Sequence, residues 1–232
     1  MNKNLPKLYQ YKVCPFCCKV RAILAYKKIP YDAVEVHPLN KKEIAFSKDY
    51  RKVPIFIDVE GNQVNDSTNI MRYLDEKYPQ QAAFEKDPER KLREEKWLDW
   101  ADKKLVRALP PLIYKTLSDS IEAFDYISKE EKFNWIQKQF IKYSGAAVMT
   151  LVAKKSAKSQ GITDPEAHLK NCLKEWMQAL DGKDFLGGDK PNAADLANFG
   201  ILKSVSFLPA FEIVKKNKEA HAWFGRLEKI AS

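Results

Sequence analysis

An alternating, strand-like stretch at residues 8–13 runs directly into Cys14-Pro15-Phe16-Cys17-Cys18, and this junction constrains the fold more than any other part of the chain. Residues 19–28 carry Val20, Ile23 and Leu24 at helical spacing, so the change of period falls on the cysteines. Pro15 suits a first helical turn, because its fixed φ fits and its missing N–H had no intrahelical partner. Cys14 is then the N-cap residue, facing free backbone amides and the positive helix end. Such a terminus stabilises an anion by about 0.3 to 1 kcal/mol, and by up to about 2 in partly buried geometry. That lowers a thiol pKa from about 8.5 towards about 7 at best. A lower value requires a direct donor to sulfur, which Tyr11, Lys12 or a backbone amide can supply. Cys17 lies one turn into the same helix, within reach of Cys14, as a resolving thiol must. Cys18 reads as a small packed thiol.

Four cysteines in 232 residues, one of them the distant Cys172, do not make a disulfide framework. A reducing, cytoplasmic compartment fits them better. A zinc site needs four ligands, yet His37, His168 and His221 are scattered and no second Cys-x-x-Cys follows. Thiol chemistry is the expected use of the pair, and no metal is expected.

The net charge of +9 invites a nucleic-acid reading that its distribution opposes. Residues 1–79 carry 14 basic against 9 acidic side chains and the remainder 26 against 22, so the excess is spread. Neither a helix-turn-helix pattern nor aromatic-basic interleaving is present, and solvated helix faces account for the lysines. A basic surface still attracts anionic ligands such as glutathione or fatty acids. No apolar run approaches the ~18 residues of a membrane span. The first strand follows Met1-Asn2-Lys3-Asn4 without room for a signal peptide, which predicts a chain without a leader.

Residues 31–36 form a β-rich run that completes a βαβ unit, and residues 38–47 make a short helix or turn. In 51–58, Pro54 opens an apolar strand, the place where a residue without an N–H is tolerated. In a thioredoxin-like arrangement this proline is cis and lies opposite the cysteine helix, freeing the preceding backbone to pair with a bound peptide or thiol. Glu60-Gly61-Asn62 is a turn, and Asp66 or Ser67 caps the next helix, leaving further amides to hold a carboxylate. Residues 1–79 are thus read as a thioredoxin-like α/β domain and 80–87 as a linker.

From residue 88 the periodicity is helical, giving an all-α C-terminal domain over 88–232. Helices are predicted near 88–108, 117–127, 130–158, 164–180, 192–207 and 215–230, with Pro110-Pro111 breaking the first from the second. Asn192 caps the fifth, with Asp195 at its third position. Trp97, Trp100, Trp135, Trp176 and Trp223 read mostly as core.

This domain order resembles the glutathione S-transferase fold. Leu8-Tyr9-Gln10-Tyr11, Cys14-Pro15-Phe16-Cys17, Tyr50-Arg51-Lys52-Val53-Pro54 and Asn65-Asp66-Ser67 look like the type-2 prostaglandin E synthase family. The likeness continues through Phe124-Asp125-Tyr126-Ile127, Lys142-Tyr143 with Gly145-Ala146-Ala147, and the run from Gly187 to Ala197, and so covers nearly the whole chain. The resemblance implies that Cys14 is the catalytic thiol with Tyr11 hydrogen-bonded to it. It further implies that Val53, Pro54, Asp66 and Ser67 bind glutathione and that Phe16 lines the pocket. The family isomerises prostaglandin H2 to prostaglandin E2, can hold haem together with glutathione, and forms homodimers.

Three classes of function stay open at this stage. The first is a glutathione-dependent isomerase, transferase or thiol-disulfide oxidoreductase, with Cys17 resolving in the last case. The second is a non-catalytic carrier of glutathione, haem or a lipid. The third is a redox-switched membrane-inserting protein like the chloride intracellular channels, which Lys19, Arg21, Lys27 and Lys28 on the first helix disfavour.

Overall fold

The computed structural model describes residues 5–38, 40–115 and 135–232, without the side chains of 135–147. Strand β1 (Lys7–Gln10) leads into helix α1 (Pro15–Tyr26), followed by β2 (Asp32–Glu35), a 3₁₀ turn at Lys42–Ile44, β3 (Ile55–Ile57), β4 (Gln63–Asn65) and α2 (Ser67–Lys77). The sheet order is β2-β1-β3-β4. β1 and β2 are parallel, as a βαβ crossover requires, while β3 runs antiparallel to both β1 and β4. The short strands are buried through Leu8, Ile55 and Phe56, and Val36, Ile44 and Ile55 form a cluster under the sheet. These are the expected thioredoxin-like elements in the expected order. β1 stops at Gln10, earlier than its alternation predicts, because the chain turns: the Cys14 amide donates to the Tyr11 carbonyl at 3.0 Å.

The remaining elements are α3 (Pro88–Trp100), a π-helical turn (Ala101–Leu105), α4 (Val106–Ile113), α5 (Trp135–Gln160), α6 (Pro165–Leu180) and α7 (Ala193–Lys203). A 3₁₀ turn (Pro209–Phe211), α8 (Glu212–Lys216) and α9 (Lys218–Ala231) complete the described chain. The expected helix over 117–127 lies outside the described residues. By contacts the chain forms two units, one of Met1–Leu98, Lys183–Ser204 and Phe224–Ser232, the other of Asp99–Gly182 and Val205–Trp223.

In the first unit α7 is buried along its whole length from Ala193 to Leu202 and packs on α1. Gly200 permits that approach, because a Cβ there would stand 2.6 Å from the Lys19 backbone nitrogen and 2.7 Å from the Cys18 carbonyl oxygen. The start of α7 is closed by a capping box: Asn192 accepts from the Ala194 and Asp195 amides, and buried Asp195 accepts from the Asn192 amide. Asp195 also accepts from the amides of Leu186 and Gly187, which fixes the preceding loop. Buried Glu94 accepts from the amides of Glu85 and Ala193, and burial pushes its carboxyl up to about 7. Asp58, buried after β3, takes hydrogen bonds from Lys77, Tyr73 and Asn62. Burial would raise its pKa, but those bonds hold it well below the usual carboxylate range, which ties the C-terminal end of α2 to the β3–β4 turn.

In the second unit Trp176 stacks on Trp100, with ring centroids 6.3 Å apart, and meets Trp223 edge-on at 5.5 Å. Trp176 and Trp223 are core, as expected. Pro110 and Pro111 do not break a helix here; α4 runs through both. Pro111 cannot supply an amide to the Arg107 carbonyl, and the Ser156 hydroxyl from α5 takes that place at 3.1 Å. The π turn restarts the helix at Val106, which leaves the two prolines within a short, separately registered segment.

Candidate functional site

Cys14 is the N-cap of α1 in extended conformation (φ −73°, ψ 124°), with Pro15 at the first helical position. The Tyr11-Lys12-Val13 turn presents it, and its carbonyl accepts from the Cys18 amide at 2.9 Å. The Cys14 thiol is held below the ordinary thiol range. A hydrogen bond from the Cys17 side chain is the chief cause. Burial opposes it, and the amides of Cys17 and Phe16 and the charge of Arg21 act in the same lowering sense. The Cys14 side chain accepts no capping bond at the helix mouth, so the helix end acts on the sulfur through its dipole, with the Cys17 side chain as the donor.

Cys17 is fully buried, and burial first and its hydrogen bond to Cys14 second push its thiol well up. The pair is thus asymmetric: one half-buried sulfur favoured as an anion and one buried sulfur favoured as a thiol. Cys18 is pushed up to about 12 by burial, which fits its reading as a packed thiol. All four cysteines are free.

Val53 precedes a cis Val53–Pro54 bond, and β3 begins only at Ile55. Val53 therefore stands at the open end of the strand whose first registered partner is Tyr9. Asp66 has φ 72° and ψ 137° and caps α2 by accepting from the amides of Thr68 and Asn69. Ser67 is buried at the first position of that helix. The Asp66 side chain is committed to the cap, while its backbone is turned to hydrogen-bond the Tyr50 side chain. Tyr50 also lies in the field of Cys14 and Cys17, and burial followed by Asp66 raises its pKa.

Tyr50 thereby links the cysteine junction to the Asp66-Ser67 turn. A second link is Lys19, fully buried on α1, whose ammonium donates to the Thr68 hydroxyl at 3.0 Å and stands 5.9 Å from the Phe16 ring. Tyr11 enters the site through its carbonyl, and its ring packs against the Val36, Ile44 and Ile55 cluster. Tyr50, Lys19 and Arg21 were not among the residues expected from the sequence. For Lys19 and Arg21 the signal was present, because both lie within two turns of Cys14 on one helix; a charge on that face reads as solvated until the packing of α7 is known. Among the described residues no group of three or more His, Cys, Asp or Glu side chains could hold a metal ion, and no helix is long and apolar enough to cross a membrane.

Known proteins share both the fold and the site-bearing segments. Residues 8–82 match the family model "Glutathione S-transferase, N-terminal domain" and residues 142–230 match "Glutathione S-transferase, C-terminal domain". Prostaglandin E synthase 2 of Mus musculus is 36% identical over 96% of this chain and 69% of its own length. That of Danio rerio is 35% identical over 96% of this chain and 70% of its own. A solved glutathione S-transferase from Methylobacterium radiotolerans, in complex with glutathione sulfonate, superposes with a TM-score of 0.63 at 17% identity, covering 96% of this chain and 90% of that one. The thioredoxin-like unit, the cysteine pair at the mouth of α1 and these identities together place the chain in the prostaglandin E synthase 2 family of the glutathione S-transferase-like superfamily.

Proposed function

We propose that this chain is a glutathione-dependent thiol enzyme that works through Cys14 and isomerises a cyclic endoperoxide of the prostaglandin H2 type to the corresponding hydroxyketone. The observation that carries the reading is the place of Cys14, the half-buried N-cap of α1 with Pro15 at the first helical position and Cys17 one turn further on. Its support from kinship is the identity to relatives named prostaglandin E synthase 2.

In this reading Val53 offers its backbone at the open end of β3, next to Pro54. The Asp66-Ser67 turn takes the charged end of glutathione, and Phe16 lines the wall. Glutathione would supply a second thiol and an anionic handle. The Cys14 sulfur attacks one peroxide oxygen, forming an S–O bond as the O–O bond breaks. The released oxygen takes a proton and becomes a hydroxyl, with Tyr11 as the expected donor to the developing charge. Loss of the C–H proton on the carbon bearing the sulfur-bound oxygen then forms the ketone and returns the sulfur as a thiolate. No oxidant or reductant is consumed.

The hydrogen bond between Cys14 and Cys17 favours a second reading, thiol-disulfide exchange. Cys14 would attack a glutathione mixed disulfide, release the partner thiol, and be resolved by Cys17 or by a second glutathione. A two-substrate assay separates the readings. Cys14→Ser is expected to abolish both activities, while Cys17→Ser spares the isomerase and weakens reduction of the disulfide. Unchanged turnover of both substrates by Cys14→Ser removes both readings.

We keep 1–79 as the glutathione-binding domain, 80–87 as its linker and 88–232 as the helical domain, with a homodimer in the cytoplasm as the expected assembly. Light scattering and fractionation test the last two. Neither reading routes a step through haem.

A further inference from the structure

Arg21 lies two turns into α1 and reaches back to the loop that presents Cys14. Its guanidinium donates to the Lys12 carbonyl at 2.6 Å, to Gln10 Oε1 at 2.9 Å and to the Cys18 sulfur at 2.9 Å. Gln10 in turn donates to Glu35 Oε1 at 2.6 Å, and Glu35 Oε2 accepts from the Lys12 amide at 3.0 Å. The bonds close a ring. Both backbone groups of Lys12 are held by it, the carbonyl by Arg21 and the amide by Glu35. The Cys14 amide is tied to the Tyr11 carbonyl one residue before Lys12. Gln10 and Glu35 are themselves register partners in β1 and β2, so the ring is anchored in the sheet.

We propose that Arg21 is the positioning residue of the Cys14 thiol, holding the 11–14 turn through the Lys12 carbonyl and the Gln10–Glu35 pair. The inference rests on the reading of Cys14 as the working sulfur. It adds what keeps that sulfur at the helix mouth. The turn from Tyr11 to Cys14 without such a clamp exchanges among conformers, and only the one that places sulfur at the mouth of α1 benefits from the helix end. A planar fork suits three divergent acceptors where a lysine ammonium serves fewer at fixed angles. The charge of Arg21 also favours the anion directly, alongside the other groups facing this region: Cys17 and Cys18 on α1, Lys12, Glu35 and Tyr31 from the β2 side, Tyr50 and Asp66, and Lys203 from α7.

The test is the rate of alkylation by iodoacetamide as a function of pH, with Cys14→Ser as the blank and thermal unfolding measured on every variant. Arg21→Gln, Arg21→Lys and Glu35→Ala are compared with the parent chain. Glu35 is exposed, so its truncation leaves the fold intact even where an Arg21 variant does not. All three are expected to slow the reaction at neutral pH by roughly three- to tenfold, the equivalent of up to about one pKa unit. The sign for Glu35→Ala is decisive. Removing an anion by charge alone favours the thiolate and speeds alkylation, whereas loosening the ring slows it. A Glu35→Ala rate at or above the parent overturns the proposal. The assay contains no glutathione, so a failure to bind that ligand leaves the result standing. A parent Cys14 that titrates like a free thiol overturns the functional reading and this proposal together.

Discussion

Ser156 donates its hydroxyl to the Arg107 carbonyl at 3.1 Å, the acceptor that Pro111 leaves without an intrahelical amide. The side chain of one helix thus completes the backbone bonding of another within the same unit. Ser156→Ala is expected to lower unfolding free energy by up to about 1 kcal/mol, the net worth of one hydrogen bond, here at the exposed residue Arg107. Ser156→Thr, which keeps the hydroxyl, should lose less. Urea melts of the two variants check this, and equal losses would show that bulk rather than bonding matters at residue 156.

Gly200 sets the distance between α7 and α1, the helix that carries Cys14. A methyl group there meets backbone atoms at 2.6 and 2.7 Å, which cannot rotate away as a side-chain end would. Gly200→Ala is expected to destabilise the chain by about 1 to 3 kcal/mol through forced separation of the helices. It should also slow Cys14 alkylation. A thermal midpoint equal to that of the parent contradicts the packing described for this pair.

Glu94 gives the stability a pH dependence of known sign. Burial raises its carboxyl to about 7 in the folded chain, against about 4.3 when unfolded, so between these values the folded state binds the extra proton. Its contribution is complete below about pH 4 and is lost as pH rises through about 7. The unfolding free energy of the parent should therefore fall across this window by up to about 4 kcal/mol. Glu94→Gln, whatever its absolute stability, should flatten this part of the profile. A parent profile that rises between pH 5 and 7 by about 1 kcal/mol or more would show that the two amides at Glu94 outweigh its burial.

Much of the first unit was legible from local signals. The cysteine junction, Pro54 before β3, the Asp66 cap and the Asn192–Asp195 capping box each depend on residues close in sequence, and each appears where its chemistry places it. The end of β1 was misjudged because the alternation of residues 8–13 continues through a turn that a backbone bond closes. The Pro110-Pro111 segment was misjudged for a different reason: its tolerance depends on a π turn and on Ser156, 45 residues after Pro111. α8 and the 3₁₀ turn before it are too short to show a period. At the site, Tyr50 acts through the backbone of Asp66, a bond of which sequence spacing carries no trace, whereas spacing puts Arg21 near Cys14 and hides only its bond to the Lys12 carbonyl.

The central claim is that the Cys14 sulfur is an anion more readily than a free thiol, because Cys17 donates to it and the positive end of α1 faces it. The most direct measurement is the thiolate absorbance of the parent chain titrated with pH, minus that of Cys14→Ser. The account predicts a midpoint below about 8.5 that moves upward in Cys17→Ala, where the chief donor is gone. A midpoint at or above about 8.5 in the parent, unmoved by Cys17→Ala, would contradict it.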